Sequence, residues 1–236
     1  MIAKQRPIYE EQAVGLGTGY LMKFNFKGEL IAQLRLGKDS VYHPGGIDFD
    51  GQYIWIPVCE YRPHGRSLIY RIDPTTMEAK VEFTVDDAIG ALVCDRDRHE
   101  LVGFNWDAMQ FYTWKQQLLD RGKWHLKSIS NNNQHFIHFQ DGQYVGQGLM
   151  ICSGVNSFLK DPHAKERIVI GGIQLMDIHT YQSTYTLPIH LRSKTGRIMT
   201  SNPFYTDVVD GKVCLYFVPD DDQSTLYMYE ITNSKS

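Results

Sequence analysis

The chain has 236 residues, 42% hydrophobic and 22% charged, with a formal net charge of −3. That is ordinary for a globular protein, and the length suits one all-β domain. No basic excess marks a binder of nucleic acid or of anionic membranes. No run approaches the ~18 apolar residues that span a bilayer, and the start, MIAKQRPIYEEQ, lacks the apolar stretch of a signal peptide.

Residues 1–18 read as an irregular N-terminal segment. Gly15, Gly17 and Gly19 form a G-x-G-x-G pattern, but a dinucleotide fingerprint needs a strand before it and a helix after it. Here a strand follows, so these are loop glycines. From Tyr20, the runs YLMKFNF and LIAQLRL around the turn KGE predict a hairpin over 20–36, the outer half of a four-stranded unit.

A complete unit spans 42–85: YHPGGIDFDG, QYIWIPVCEYRPHG, RSLIYRIDPTTM and EAKVEFTV. Asp50-Gly51 between two apolar runs is a strong hairpin signal. The same plan returns over 88–129, with AIGALVCD, the turn RDRHE, LVGFNWD, FYTWKQ and WHLKSI. Over 134–189 it returns again, with Asp141-Gly142 as its first turn and SFLKDPHAKER as a surface insertion between its second and third strands. The last unit, 201–231, turns at Asp210-Gly211 and ends after a third strand.

Four-stranded antiparallel units repeating about every 45–60 residues predict an all-β fold, a β-propeller in a single domain. The count gives five blades, or six if the insertion hides more, with the N-terminal inner half-blade lacking. A propeller must close or leave exposed edges. The chain is then short at its start, or it completes the ring by oligomerising.

Cys59, Cys94, Cys152 and Cys214 sit inside apolar strand patterns with no CxxC spacing. They read as buried thiols acting as small hydrophobes.

The topology locates a site. The first strand of each blade lines the central channel, and successive strands alternate in direction. Residues leading into the first strand and out of the second therefore share one channel mouth, with the Asp-Gly turns on the opposite face. The lead-in residues are Tyr42, His43, Asp87, Gln134, His135, Ser201 and Asn202. The exit residues are Glu60, Tyr61, Arg62, Asn105, Trp106, Ser153, Asn156 and Asp220. Such a polar and aromatic set suits a pocket with a few convergent polar groups.

Glu60 can act as a metal ligand or general base, or pair with Arg62 or Arg66. His43 can carry a proton, ligate a metal or bond to a neighbouring blade. His135 and His138 lie three apart in one strand and point to opposite faces. Trp106 can stack on a ring or pack in the core. Asp220-Asp221-Asp222 lacks the glycine and distal glutamate of a calcium loop and reads as a solvated acidic loop. No G-x-S-x-G nucleophile elbow occurs.

The segment HPGGIDFDGQYIWIPVCEYRPHGRSLIYRIDP resembles an uncharacterised family of propeller proteins, a domain of unknown function with a similar HPGGI, W-P-V-x-E-Y-R-P pattern. The resemblance runs from about Gly19 to the C-terminus and implies a propeller, often secreted, with no established activity. More distantly the chain is similar to gluconolactonase and senescence-marker propellers. Those hold a divalent cation with glutamate, asparagine and aspartate, and Glu60, Asn105 and Asn156 occupy comparable blade positions.

Two functions follow as expectations. One is a binding propeller that takes a small polar molecule or a protein partner at the channel mouth, through His43, Glu60, Arg62, Asn105, Trp106, His135, Asn156 and Asn202, with no cofactor. The other is a metal-assisted hydrolase of the lactonase kind, with calcium or another divalent ion on Glu60, Asn105 and Asn156, and His43 or Glu60 handling a proton.

Overall fold

The computed structural model describes residues 15, 17–117, 120, 122–134, 136–161, 163, 166–221 and 223–232. Within them the chain folds into antiparallel sheets, with 3-10 turns at Trp106–Ala108 and Met199–Ser201. Among the described residues no helix is long and apolar enough to cross a membrane.

A two-stranded sheet comes first, β1 (Gly19–Phe24) against β2 (Leu30–Leu36). The first blade holds β3 (His43–Pro44), β4 (Asp48–Phe49), β5 (Ile54–Cys59), β6 (Ser67–Ile72) and β7 (Ala79–Val85). In it β3 and β4 share the inner position against β5. The second blade is β8 (Ile89–Asp95), β9 (Glu100–Asn105), β10 (Gln110–Gln117) and β11 (Lys123–Asn131). The third is β12 (His138–Gly146), β13 (Leu149–Leu159), β14 (Arg167–Asp177) and β15 (Ser183–Ile189). The fourth is β16 (Phe204–Val209), β17 (Lys212–Phe217) and β18 (Tyr227–Glu230). Strand order in each blade follows the chain, the arrangement of a β-propeller. The count departs from the expected five or six: the described residues form four blades, with β1–β2 as a separate sheet.

Local chemistry explains the turns. At Asp50-Gly51, Asp50 Oδ1 accepts the N–H groups of Gln52 and Tyr53 at 2.8 and 2.7 Å, while Gly51 takes φ +102°. At Asp210-Gly211 both residues have positive φ, 52° and 77°, as a primed hairpin turn requires. Asp141-Gly142 is not a turn. Both residues lie inside β12, paired with Ser153 and Cys152. The chain reverses later, at Gly146-Gln147-Gly148, where all three φ values are positive. The expected insertion is also different in kind. β13 and β14 stay paired out to Leu159 and Arg167, so much of SFLKDPHAKER prolongs a hairpin into a projecting arm.

The apolar faces pack sheet against sheet. Leu36 and Val41 join Ile56, Val58 and Ile72 between the β1–β2 sheet and the first blade. Trp55 and Ile69 meet Leu92, Leu101 and Trp114 between the first and second. Val93, Phe104 and Phe111 meet Phe139, Tyr144 and Met150 between the second and third. Ile173 and Met199 meet Phe204, Leu215 and Phe217 between the third and fourth. Tyr20, Met22 and Phe24 on β1, and Tyr205 and Met228 on the fourth blade, are exposed.

At the axis the inner strands touch one another, so protein fills this level where the sequence placed an open channel. Gly46 donates to Gly90 O at 2.8 Å, and Leu92 donates back to Gly46 O at 3.2 Å. A Cβ on Gly46 would run into Asp141 and Ala91. Asp48 Oδ2 accepts the N–H groups of Cys94 in β8 and Tyr144 in β12, at 2.8 and 3.0 Å. Asp141 Oδ2 accepts Phe204 N–H in β16 at 3.0 Å. Two buried carboxyls thus join all four blades through their backbones.

Candidate functional site

The propeller alternation brings the lead-in and exit segments of the first three blades onto one face. Glu60 follows β5 and is buried. Ser40 Oγ donates to its Oε1 at 2.6 Å, and Arg62 Nε and Nη2 donate to its Oε2 at 3.0 and 2.7 Å. The Ser40 hydroxyl, then the Arg62 guanidinium, hold this carboxyl below its usual range against the opposing effect of burial. The expected pairing of Glu60 with Arg62 is formed.

That pairing folds the segment after β5 so that Tyr61 projects, 46% exposed. Its ring lies 4.5 Å from His43 and 5.2 Å, edge-on, from Trp106. His43, Tyr61 and Trp106 form a run that crosses from the first blade to the second. Burial lowers the His43 pKa and so favours the neutral ring.

Beside the run, Asn105 Nδ2 and Tyr112 OH donate to Asp87 Oδ2 at 2.9 and 2.8 Å. Burial, then the Asp87 carboxylate, pushes the Tyr112 phenol up. His64 Nδ1 stands 3.8 Å from Asp87 Oδ1, its own side chain open to solvent.

A third set joins the second blade to the third. Asp107 and Ala108 follow Trp106 with φ +62° and +52°, two consecutive left-handed residues without a glycine. Such strain amounts to about 1–3 kcal/mol per residue and gathers at functional sites. It aims Asp107 Oδ1 at His138 Nδ1, 3.1 Å away. His138 Nε2 lies 3.0 Å from Asn156 Oδ1, and Asn156 Nδ2 donates to Phe136 O at 3.0 Å. Directly beyond Asn156 the β13–β14 arm begins, with Phe158, Leu159, Ile168 and Val169 exposed.

His43, Glu60, Arg62, Asn105, Trp106 and Asn156 therefore share this face. Asn202 belongs to a separate set, donating to Pro219 O and Asp221 Oδ1 at 2.8 Å each. His135 lies outside the described residues, as does Asp222. Asp220 is buried rather than solvated, and accepts from Ser193 and Thr195 at 2.8 and 2.5 Å.

The three expected metal ligands face different partners. Glu60 faces Ser40 and Arg62, Asn105 faces Asp87 and Gln110 N–H, and Asn156 faces His138 and Phe136 O. Among the described residues no group of three or more His, Cys, Asp or Glu side chains is placed to hold a metal.

The sequence reading passed over His64 and Asp107, gave His138 no partner, and took the arm for a surface insertion. Asp107 carried no signal, because its placement depends on two left-handed residues that nothing in WDAM announces. The arm was signalled by the apolar pairs on either side of KDPHAKE.

No curated protein matches the chain. A nidogen/laminin complex is similar at 10% identity and TM-score 0.49, over 86% of this chain and 71% of that one. Kuenenia stuttgartiensis hydrazine synthase is similar at 9% identity and TM-score 0.39, over 83% and 68%. Pyrococcus horikoshii acylaminoacyl peptidase is similar at 10% identity and TM-score 0.39, over 79% and 38%. Likenesses this low carry nothing about what this chain does. A family model described as a family of unknown function, DUF6454, matches residues 3–234.

Proposed function

The chain belongs to the DUF6454 family of unknown function, and from its own site we propose that it is a binding β-propeller whose recognition surface is the face carrying His43, Tyr61 and Trp106. The observation that supports this most is the exposed Tyr61 ring, set across a blade boundary between His43 and Trp106. An aromatic run rimmed by fixed polar groups is what a small polar molecule or a protein side chain docks against. The occupant also meets the arm, whose exposed Phe158 and Ile168 face each other across the hairpin.

The test is a thermal-shift screen of small polar compounds and a pull-down of protein partners, each repeated with Tyr61→Ser and with the double variant Phe158→Ser, Ile168→Ser. A small ligand loses its effect in Tyr61→Ser alone. A protein partner is lost in both. Binding that survives Tyr61→Ser in folded protein sinks the proposal. Calorimetry on metal-stripped protein covers the lactonase-type alternative: tight calcium or zinc binding abolished by Glu60→Gln would replace the binding reading with the hydrolase one.

A further inference from the structure

On the opposite face, between the first and second blades, lies a cavity of about 300 Å³ that the proposed recognition surface does not use. Its floor is Trp55 and Leu101, both buried. Trp124 forms a wall, its ring 5.1 Å from Trp55 and nearly perpendicular to it. The rim is polar, with two guanidiniums, Arg71 and Arg96, and the amides of Gln52 and Gln116.

Three carboxylates also line the cavity, and each is already engaged. Asp50 accepts two backbone N–H groups and Trp55 Nε1, the last at 2.6 Å. Asp95 Oδ1 accepts the N–H groups of Asp97 and Arg98 at 3.1 and 3.2 Å, and its Oδ2 faces His179 at 3.6 Å. Glu100 takes Lys127 Nζ on both oxygens at 2.8 Å, with Lys115 at 3.4 Å. The arginines are engaged less fully. Arg71 uses Nε on Glu82 at 2.8 Å and lies 4.4 Å over the Tyr53 ring. Arg96 uses one Nη2 on Tyr144 O at 3.2 Å and lies 5.4 Å over the Tyr144 ring. A guanidinium carries five N–H donors and no acceptor, so the two arginines leave the rim with N–H donors to spare.

We propose that this cavity binds a small ring-bearing carboxylate, its ring against Trp124 and its carboxylate on Arg71 and Arg96. The volume is at the lower end for ligand pockets, which selects a single-ring molecule. Planar guanidinium forks suit a carboxylate better than a hydroxyl. The engaged acids leave little to attract a cation.

Benzoate, benzyl alcohol and benzylamine share one ring and differ in the group presented to the rim. Ligand-observed saturation-transfer NMR on the full chain ranks them, with tryptophan fluorescence as a second readout. Benzoate is expected to bind at least about tenfold tighter than the other two. Arg71→Gln and Arg96→Gln, each shown folded by circular dichroism, are expected to weaken benzoate at least about tenfold while leaving benzyl alcohol unchanged. Trp124→Leu is expected to weaken all three. Equal binding of benzoate and benzyl alcohol, tighter binding of benzylamine, or no benzoate signal at about 10 mM would each overturn the proposal. So would benzoate binding that neither arginine variant changes.

Discussion

Asp48, on the inner strand of the first blade, accepts a hydrogen bond from the backbone N–H of Tyr144 in the third, 96 positions along the chain, at 3.0 Å. The same oxygen accepts Cys94 N–H in the second blade at 2.8 Å. Replacing that oxygen by an amide nitrogen sets donor against donors. Asp48→Asn is expected to lower the unfolding free energy by about 2 kcal/mol or more, the cost of leaving buried N–H groups unpaired. Urea denaturation measures this, and a neutral variant would mean that apolar packing alone holds the blades together.

Acidity at the axis gives a second expectation. Burial raises the Asp48 pKa to about 6 and the Asp141 pKa to about 7, with the Asp48 charge adding to the latter. Both lie above the ordinary carboxyl value of 3.8, so between those limits the folded chain binds more protons than the unfolded one. The contribution of this pair to stability therefore grows as pH falls from about 8 toward 4. Glu60, Glu100 and Asp177 are shifted the other way, and their contribution is lost as pH falls below about 4. The thermal midpoint should peak near pH 5, exceeding that at pH 8 by at least about 3 °C, or roughly 1 kcal/mol for a domain of this size. Asp141→Asn should flatten that slope; a midpoint rising steadily to pH 8 would contradict the assignment.

Two glycines should respond to alanine for different reasons. At Gly46 the added methyl meets Asp141 and Ala91, an overpacking of about 1–3 kcal/mol that disturbs the axis. At Gly51 nothing lies within 4 Å, and the loss is confined to the +102° backbone, about 1 kcal/mol. Circular dichroism melts of the two variants rank them, with Gly46→Ala the less stable.

The cysteines should be silent. All four are buried and unpaired. Burial lifts the Cys59 thiol to about 12 and those of Cys94 and Cys152 well above the ordinary range. Native protein at pH 8 should show no fast reaction with a chromogenic disulfide, and four thiols should react after unfolding. A rapid native phase would reveal an opening that the packing does not contain.

The blade plan was readable because strand alternation and turn dipeptides are local signals. Asp210-Gly211 and Asp50-Gly51 turned where their chemistry said. Asp141-Gly142 carries the same two letters and stays in a strand. A glycine-rich turn was available at Gly146–Gly148, and Asp141 is drawn inward to Phe204. Nothing within ten residues of Asp141 encodes that partner. The site was legible to the same depth. Topology placed His43, Glu60, Asn105, Trp106 and Asn156 on one face, while the contacts that join the blades there, such as Asp107 with His138, depend on backbone strain and on residues far apart in sequence.

The parallel bridge from Gly46 to Ala91, together with the two axial carboxyls, also limits how such a chain can change in evolution. In a solenoid each repeat touches only its neighbours, and duplication adds one freely. Here the first blade grips the second and third, and the third grips the fourth. A duplicated blade would arrive with no carboxyl aimed at it and would displace one that is. Gain or loss of a single repeat, the ordinary way repeat proteins drift in length, would here cost the buried carboxyls their partners in the neighbouring blades.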